Sequence, residues 1–240
     1  MERLQKVIAN AGYCSRRKAE EEIIKGHVMV NGEVVRKMGV LVSPTDEIIV
    51  NGTLIKKEEK EYVLLNKPRG VVTTTSDDKN RKTVLDFIDT DKRLYPVGRL
   101  DYDTTGALLL TNDGELANLL MHPRNQIDKV YIAKVKGILT GEAIYRLKNG
   151  VMIDGKKTAK AKVKLRRVDK KNQTSMVELV IHEGRNHQVK RMFEALGYDV
   201  LKLKRERIAF LDVDHLKSGE YRYLNPKEVK KLYYEVLKQD

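Results

Sequence analysis

The sequence predicts an α+β fold in two parts, and three observations carry that reading. The first 55 residues show two short helical patterns followed by two hairpin-type turn signals. From Tyr62 onward, continuous apolar runs alternate with further helical patterns. Between them, residues 56–61 (Lys-Lys-Glu-Glu-Lys-Glu) contain no apolar side chain and read as a solvated linker. The expected organisation is a small helix-helix-sheet module over 1–55, a linker over 56–61 and a larger domain over 62–240.

In the module, Leu4, Val7, Ile8 and Ala11 recur at helical spacing and stop at Gly12. Ser15 can cap a second helix in which Ala19, Ile23 and Ile24 face inward, and Gly26 ends it. Val28 and Val30 alternate up to Asn31-Gly32, as Ile48 and Val50 do up to Asn51-Gly52; Asn-Gly is the dipeptide that tight hairpins favour.

In the larger part, Tyr62-Val63-Leu64-Leu65 and Ala107-Leu108-Leu109-Leu110 fit strands buried on both faces. Val130, Ile132, Lys134 and Lys136 fit a half-exposed strand. Two more strands are expected from Thr158 to Leu165 and from Ser175 to Ile181, joined by a turn containing Lys170-Lys171-Asn172-Gln173. Helices are expected around Leu116, Leu119 and Leu120; around Ile144 and Leu147; from Val189 through Met192, Phe193 and Leu196 to Gly197; and around Val229, Leu232, Tyr233 and Val236.

Charge narrows the choice of partner. With 47 Lys and Arg against 34 Asp and Glu the chain carries +13, and its pI is about 9.6. Residues 62–240 hold 36 basic and 24 acidic side chains, so +12 of the excess lies there. Such a surface is drawn to a polyanion, in the first place a nucleic-acid backbone; solubility alone is the competing explanation. A single cysteine, Cys14, excludes an internal disulfide framework and a thiol zinc site and fits a reducing cytoplasm. The N-terminus lacks a secretory apolar segment, and no apolar run nears the ~20 residues of a membrane span. The five histidines show no metal-ligand spacing, and phosphate-binding glycine loops and serine elbows are absent. The expectation is a cytoplasmic, monomeric protein with no membrane partner and no metal.

The most informative stretch is Val97-Gly98-Arg99-Leu100-Asp101-Tyr102-Asp103-Thr104-Thr105-Gly106-Ala107-Leu108-Leu109-Leu110, in which a turn holds a carboxylate ahead of a buried strand. It resembles the signature of the RNA pseudouridine synthases of the RsuA/RluB family. Asn66-Lys67-Pro68-Arg69-Gly70, Lys129-Val130-Tyr131 and Glu183-Gly184-Arg185-Asn186-His187-Gln188-Val189-Lys190-Arg191-Met192 resemble three further family blocks in the right order. The loop Leu119-Leu120-Met121-His122-Pro123-Arg124 leans toward the RluB-like, large-subunit group. Ser15-Arg16-Arg17-Lys18-Ala19-Glu20 and Gly26-His27-Val28-Met29-Val30-Asn31-Gly32 resemble the small RNA-binding module named after ribosomal protein S four.

The resemblance implies a catalytic domain built on a mixed, mainly antiparallel sheet that isomerises uridine to pseudouridine at a specific site in ribosomal RNA, free or in a pre-ribosomal particle, without a cofactor. It makes Asp101 the essential aspartate and leaves Asp103 as a turn residue. Whether Asp101 adds to the sugar, removes a ribose proton or attacks the base stays open. Lys190 matches the cationic partner of the aspartate, with Arg185 as runner-up, and Tyr131 the aromatic that packs on the target base. Arg99 matches an arginine that enters the space left when the base flips out. Lys67, Arg69, Arg124 and Arg185 are candidate clamps on the RNA backbone. Arg16, Arg17 and Lys18 at the start of the second helix would contact phosphates. A binding protein that has kept the fold and lost activity, or a hydrolase using Asp101 on another substrate, are the competing classes. An intact Asp101, Tyr131 and Lys190 oppose the first, and the RNA-binding module opposes the second.

Overall fold

The computed structural model describes residues 1–237, which form two compact units. One comprises 1–61 with 90–94 and 112–114; the other comprises 62–89, 95–111 and everything from 115 onward. The last three residues of the expected larger domain lie outside the described residues.

The first unit opens with helices α1 (Leu4–Asn10) and α2 (Arg16–Lys25). The Ser15 hydroxyl accepts from the Lys18 amide at 3.2 Å, satisfying one of the free donors at the start of α2. Gly26 closes the helix in the left-handed conformation, φ 78°. Strands β1 (Val28–Val30), β2 (Glu33–Val35), β3 (Ile48–Val50) and β4 (Thr53–Leu54) form an antiparallel sheet in the order β2-β1-β3-β4. Both Asn-Gly pairs take positive φ at both residues, as the hairpin reading requires. Leu4, Ile8, Ala19, Ile23, Val28, Val42, Ile48 and Val50 make the core. Ile24, expected inward, is 57% exposed. Glu22 is buried, accepts from Asn51 at 3.0 Å and lies 2.7 Å from His27 Nδ1; these bonds hold its carboxyl down to about 2. Residues 56–61 are tied into this unit: the Asn112 side chain bonds Glu58, Glu59 and the Glu61 amide, and Lys92 pairs with Glu61 at 3.2 Å.

The second unit is organised by a nine-stranded sheet. Its main strands are β5 (Tyr62–Lys67), β6 (Thr105–Thr111), β7 (Lys129–Lys136), β8 (Lys162–Asp169), β9 (Thr174–Ile181), β10 (Val200–Ile208) and β11 (Tyr221–Tyr223), in the order β8-β9-β7-β10-β6-β5-β11. All neighbours in this series are antiparallel except β10 and β6, which run parallel at Lys204↔Thr105 and Arg205↔Gly106. The two apolar runs form β5 and β6 and are buried beyond their first residues, as expected of strands covered on both faces.

The expected helices appear as α3 (Gly114–Met121), α4 (Gly141–Asn149), α5 (Gln188–Glu194) and α6 (Pro226–Leu237). Leu64, Ala107 and Leu109 of the sheet pack with Leu116 and Leu120 of α3 and Leu232 and Val236 of α6. Three details depart from the sequence expectation. α5 stops before Leu196. β8 starts at Lys162, because Ala159 instead donates its amide to the Glu183 carboxylate at 3.0 Å. β10 and β11 carry no sequence expectation at all. β10 is a central strand in which Lys and Arg alternate with Leu, so its charge hides its place in the sheet.

Candidate active site

The turn that carries Asp101 is fixed from below. Gly70 donates its amide to the Tyr102 carbonyl at 2.8 Å, Thr73 Oγ1 donates to the Leu100 carbonyl at 2.7 Å, and Thr104 donates its amide to the Asp101 carbonyl at 3.1 Å. Lys67, at the end of β5, has no solvent exposure. Its ammonium donates to the carbonyls of Pro68, Asp101 and Thr104 at 3.0–3.2 Å. Lys67 is therefore not a clamp on the RNA backbone, as the sequence suggested; it is a buried strut of the aspartate turn. Burial pulls its pKa down to about 8, against the attraction of Asp101 and Asp103.

Beside this turn lies a cavity of about 460 Å³ lined by Arg99, Asp101, Tyr131 and Arg185 among others. Tyr131 comes from β7 and is 8% exposed; Arg99 is an exposed member of the lining. Lys190, two residues into α5, reaches Asp101 Oδ2 at 3.1 Å and Asp103 Oδ1 at 2.5 Å, so one cation serves two carboxylates. Burial works against the charge on Lys190, but its bonds to Asp103 and Asp101 outweigh that and raise its pKa. The same bond lowers the pKa of Asp103.

Arg185, the alternative partner, turns away from Asp101. It donates to the carbonyls of Lys156 and Lys157 at 3.1 and 2.8 Å and lies 3.4 Å from Glu183. Arg69 is exposed and donates to the Asp103 carbonyl at 3.2 Å, outside the cavity. Arg16, Arg17 and Lys18 are exposed in the first unit; Lys18 pairs with Glu21 at 3.1 Å and Glu22 at 3.4 Å, which leaves the two arginines as the freer charges.

Three cavity residues went unassigned in the sequence. His187 caps α5 in the left-handed conformation, φ 51°, and brings Nε2 to 3.5 Å from Asp101 Oδ1. Lys129 donates to the His182 carbonyl at 3.2 Å; burial, with Arg205 nearby, lowers its pKa to about 8. Arg205 is 2% exposed, and its Nε donates to the Ala107 carbonyl at 2.7 Å. The only sequence signal for Arg205 was a basic residue on the apolar phase of an alternating strand. Among the described residues there is no cluster of three or more His, Cys, Asp or Glu able to hold a metal ion, and no helix long and apolar enough to cross a membrane.

A carboxylate facing a cavity, steadied by a lysine and flanked by a buried tyrosine, is suited to stabilising or bonding an electron-poor carbon such as a sugar C1′. Comparison with known proteins agrees with this chemistry. Residues 61–195 match the family model described as RNA pseudouridylate synthase, and residues 2–48 match the S4 domain. Over 97% of its length the chain is 58% identical to the ribosomal large subunit pseudouridine synthase B of Bacillus subtilis, covering 96% of that protein. It is 38% identical over 96% of its length to the dual-specificity RNA pseudouridine synthase RluF of Escherichia coli K12, covering 78% of it. A solved structure titled as a pseudouridylate synthase superposes with a TM-score of 0.68 at 35% identity, covering 97% of this chain and all of that one. The chain belongs to the RNA pseudouridine synthases, in the RsuA/RluB family.

Proposed function

We propose that the protein converts uridine to pseudouridine at a specific site of large-subunit ribosomal RNA, with Asp101 as its catalytic carboxylate. The observation that carries the reading is the Asp101–Lys190 pair at 3.1 Å on the edge of a cavity that also holds Tyr131. The reaction breaks the bond between uracil N1 and ribose C1′, turns the base and rejoins it through C5; N1 gains a proton and C5 gives one up. Nothing is oxidised or consumed, so the reaction needs no cofactor. The setting is the cytoplasm, consistent with a single free cysteine.

In this reading Lys190 holds its positive charge 3.1 Å from the Asp101 carboxylate as the site closes over the base and water leaves. Tyr131 packs against the flipped uracil, and Arg99 fills the gap in the stack. Arg185 orders the 156–157 backbone and meets RNA with its exposed edge, while Arg69 faces the backbone on the outer side of the turn. Arg16 and Arg17 hold phosphates from the N-terminal module. The large-subunit assignment rests on the likeness to the Bacillus subtilis and Escherichia coli enzymes. Mapping pseudouridines in ribosomal RNA from cells with and without the gene tests it. One large-subunit position that loses its modification and regains it with the parent protein but not with Asp101→Asn is the expected result; an unchanged map overturns the reading.

A further inference from the structure

Strands β9, β7 and β10 bury one face and leave the other open, and the neighbouring edge strand β8 has no fully buried residue. In β9, Ser175, Val177, Leu179 and Ile181 are buried, whereas Met176, Glu178 and Val180 point the other way. Reading across the strands through the registers of Met176 and Glu178 gives two rows on the open face. One is Arg167–Met176–Lys134–Lys202; the other is Lys164–Glu178–Ile132–Lys204. An antiparallel sheet often leaves one face to water, but mixed polar residues suffice for that. Here five of eight positions are cationic and one is acidic, and that acid, Glu178, is already bonded by Arg166.

Lys134 and Lys202 are direct cross-strand partners. Like charges in that position destabilise a sheet, so the folded protein holds a repulsive pair that a bound anion would relieve. The same lysines, with Lys204 and Met176, line a groove that continues to Arg69, Asp103 and Thr105. Asp103 and Thr105 flank Thr104, which lines the candidate active site with Asp101. The basic groove and the cavity thus meet on opposite sides of one turn.

We infer that the open face of β8, β9, β7 and β10 is a second RNA-docking surface, which holds the phosphate backbone flanking the target nucleotide as it leaves the aspartate turn. This rests on RNA being the substrate. Charge complementarity selects RNA over a protein partner: the groove sets Arg69, Lys134, Lys202 and Lys204 against two acids, Asp103 and Glu206, and Asp103 is already paired with Lys190.

The test compares two triple variants of equal net charge. One is Lys134→Gln/Lys202→Gln/Lys204→Gln; the control is Lys148→Gln/Lys227→Gln/Lys230→Gln, at exposed helix positions away from the groove. Binding to protein-free large-subunit ribosomal RNA is measured from low to high salt. Each lost phosphate contact flattens the log–log salt dependence by about 0.7 to 0.9, so the groove variant should lose about 2 to 3 from the slope and the control much less. Equal slopes for groove variant, control and parent overturn the inference. So does a groove variant that binds naked RNA like the parent but fails on ribosomal particles, since the surface would then meet a protein. Pseudouridine formation by the parent on the same RNA is scored alongside. A modifying parent with unchanged groove-variant binding removes only this inference, whereas a parent that forms no pseudouridine on either the free RNA or ribosomal particles removes the functional reading and leaves the salt slopes to decide the groove.

Discussion

Lys190 stands between two carboxylates, and the difference between them is testable one residue at a time. Asp101 faces the cavity; Asp103 accepts the shorter bond on the outer side of the turn. Asp101→Asn should keep the fold and abolish tritium release from RNA labelled at uridine C5, whereas Asp103→Asn should retain measurable activity. Lys190→Met should lose at least ~100-fold in activity and Lys190→Arg should remain largely active, because only the charge is required. The pH dependence follows from the paired shifts. Asp103 is lowered from 3.8, so its contribution is present above that value and fades as acid carries the pH through its folded pKa. Lys190 is raised from 10.5, so its contribution is present below that value and fades as the pH rises through its folded pKa. The stability gap between parent and Lys190→Met should therefore be fullest between the two and shrink at both extremes, measured by denaturant melts across pH. Asp101 and Lys190 were legible in the sequence because their motifs have fixed spacing. His187 and Arg205 were not, since their proximity to the cavity arises only when α5 and β10 are brought beside the turn.

At the scale of elements, the parallel contact between β10 and β6 demands a glycine. Gly106 has φ +106°, and a Cβ there would sit 2.1 Å from the Arg205 carbonyl oxygen. Gly106→Ala should cost roughly 2–4 kcal/mol by forcing the strands apart or straining the backbone, read as a drop in the urea midpoint. Lys67→Met keeps the volume but strands three buried carbonyls, so it should destabilise the protein and displace the aspartate turn. Burial places the Lys67 pKa near 8 in the folded state, while the unfolded chain keeps its proton to about 10.5. Across that window the unfolded state binds more protons, so the parent should gain stability over Lys67→Met as the pH rises. Periodicity revealed the helices and the doubly buried strands. It did not reveal β10, because a central strand that carries Lys202, Lys204, Arg205 and Arg207 lacks the apolar run by which such strands are recognised.

At the scale of the whole molecule, the chain divides its charge unevenly, and its two units should respond differently to loss. Deleting residues 1–55 removes Arg16 and Arg17 but none of the cavity residues. The shortened protein should bind RNA more weakly, with a flatter salt dependence, yet retain some turnover at high enzyme concentration. An unchanged affinity and slope would show that the module plays no part in holding RNA.

Strand order also fixes when the molecule can begin to work. β10 lies between β7 and β6, so among the described residues the link in the series from the β8-β9-β7 half to the β6-β5-β11 half is the strand at Val200–Ile208. During synthesis at about 5–20 residues per second, Asp101 and Tyr131 emerge several seconds before the strand that joins their halves of the sheet. Through that interval the two groups belong to separate pieces of an unfinished sheet. Competence thus waits on the synthesis of β10, and a nascent chain that still lacks it has no assembled pocket to turn on the ribosomal RNA around it.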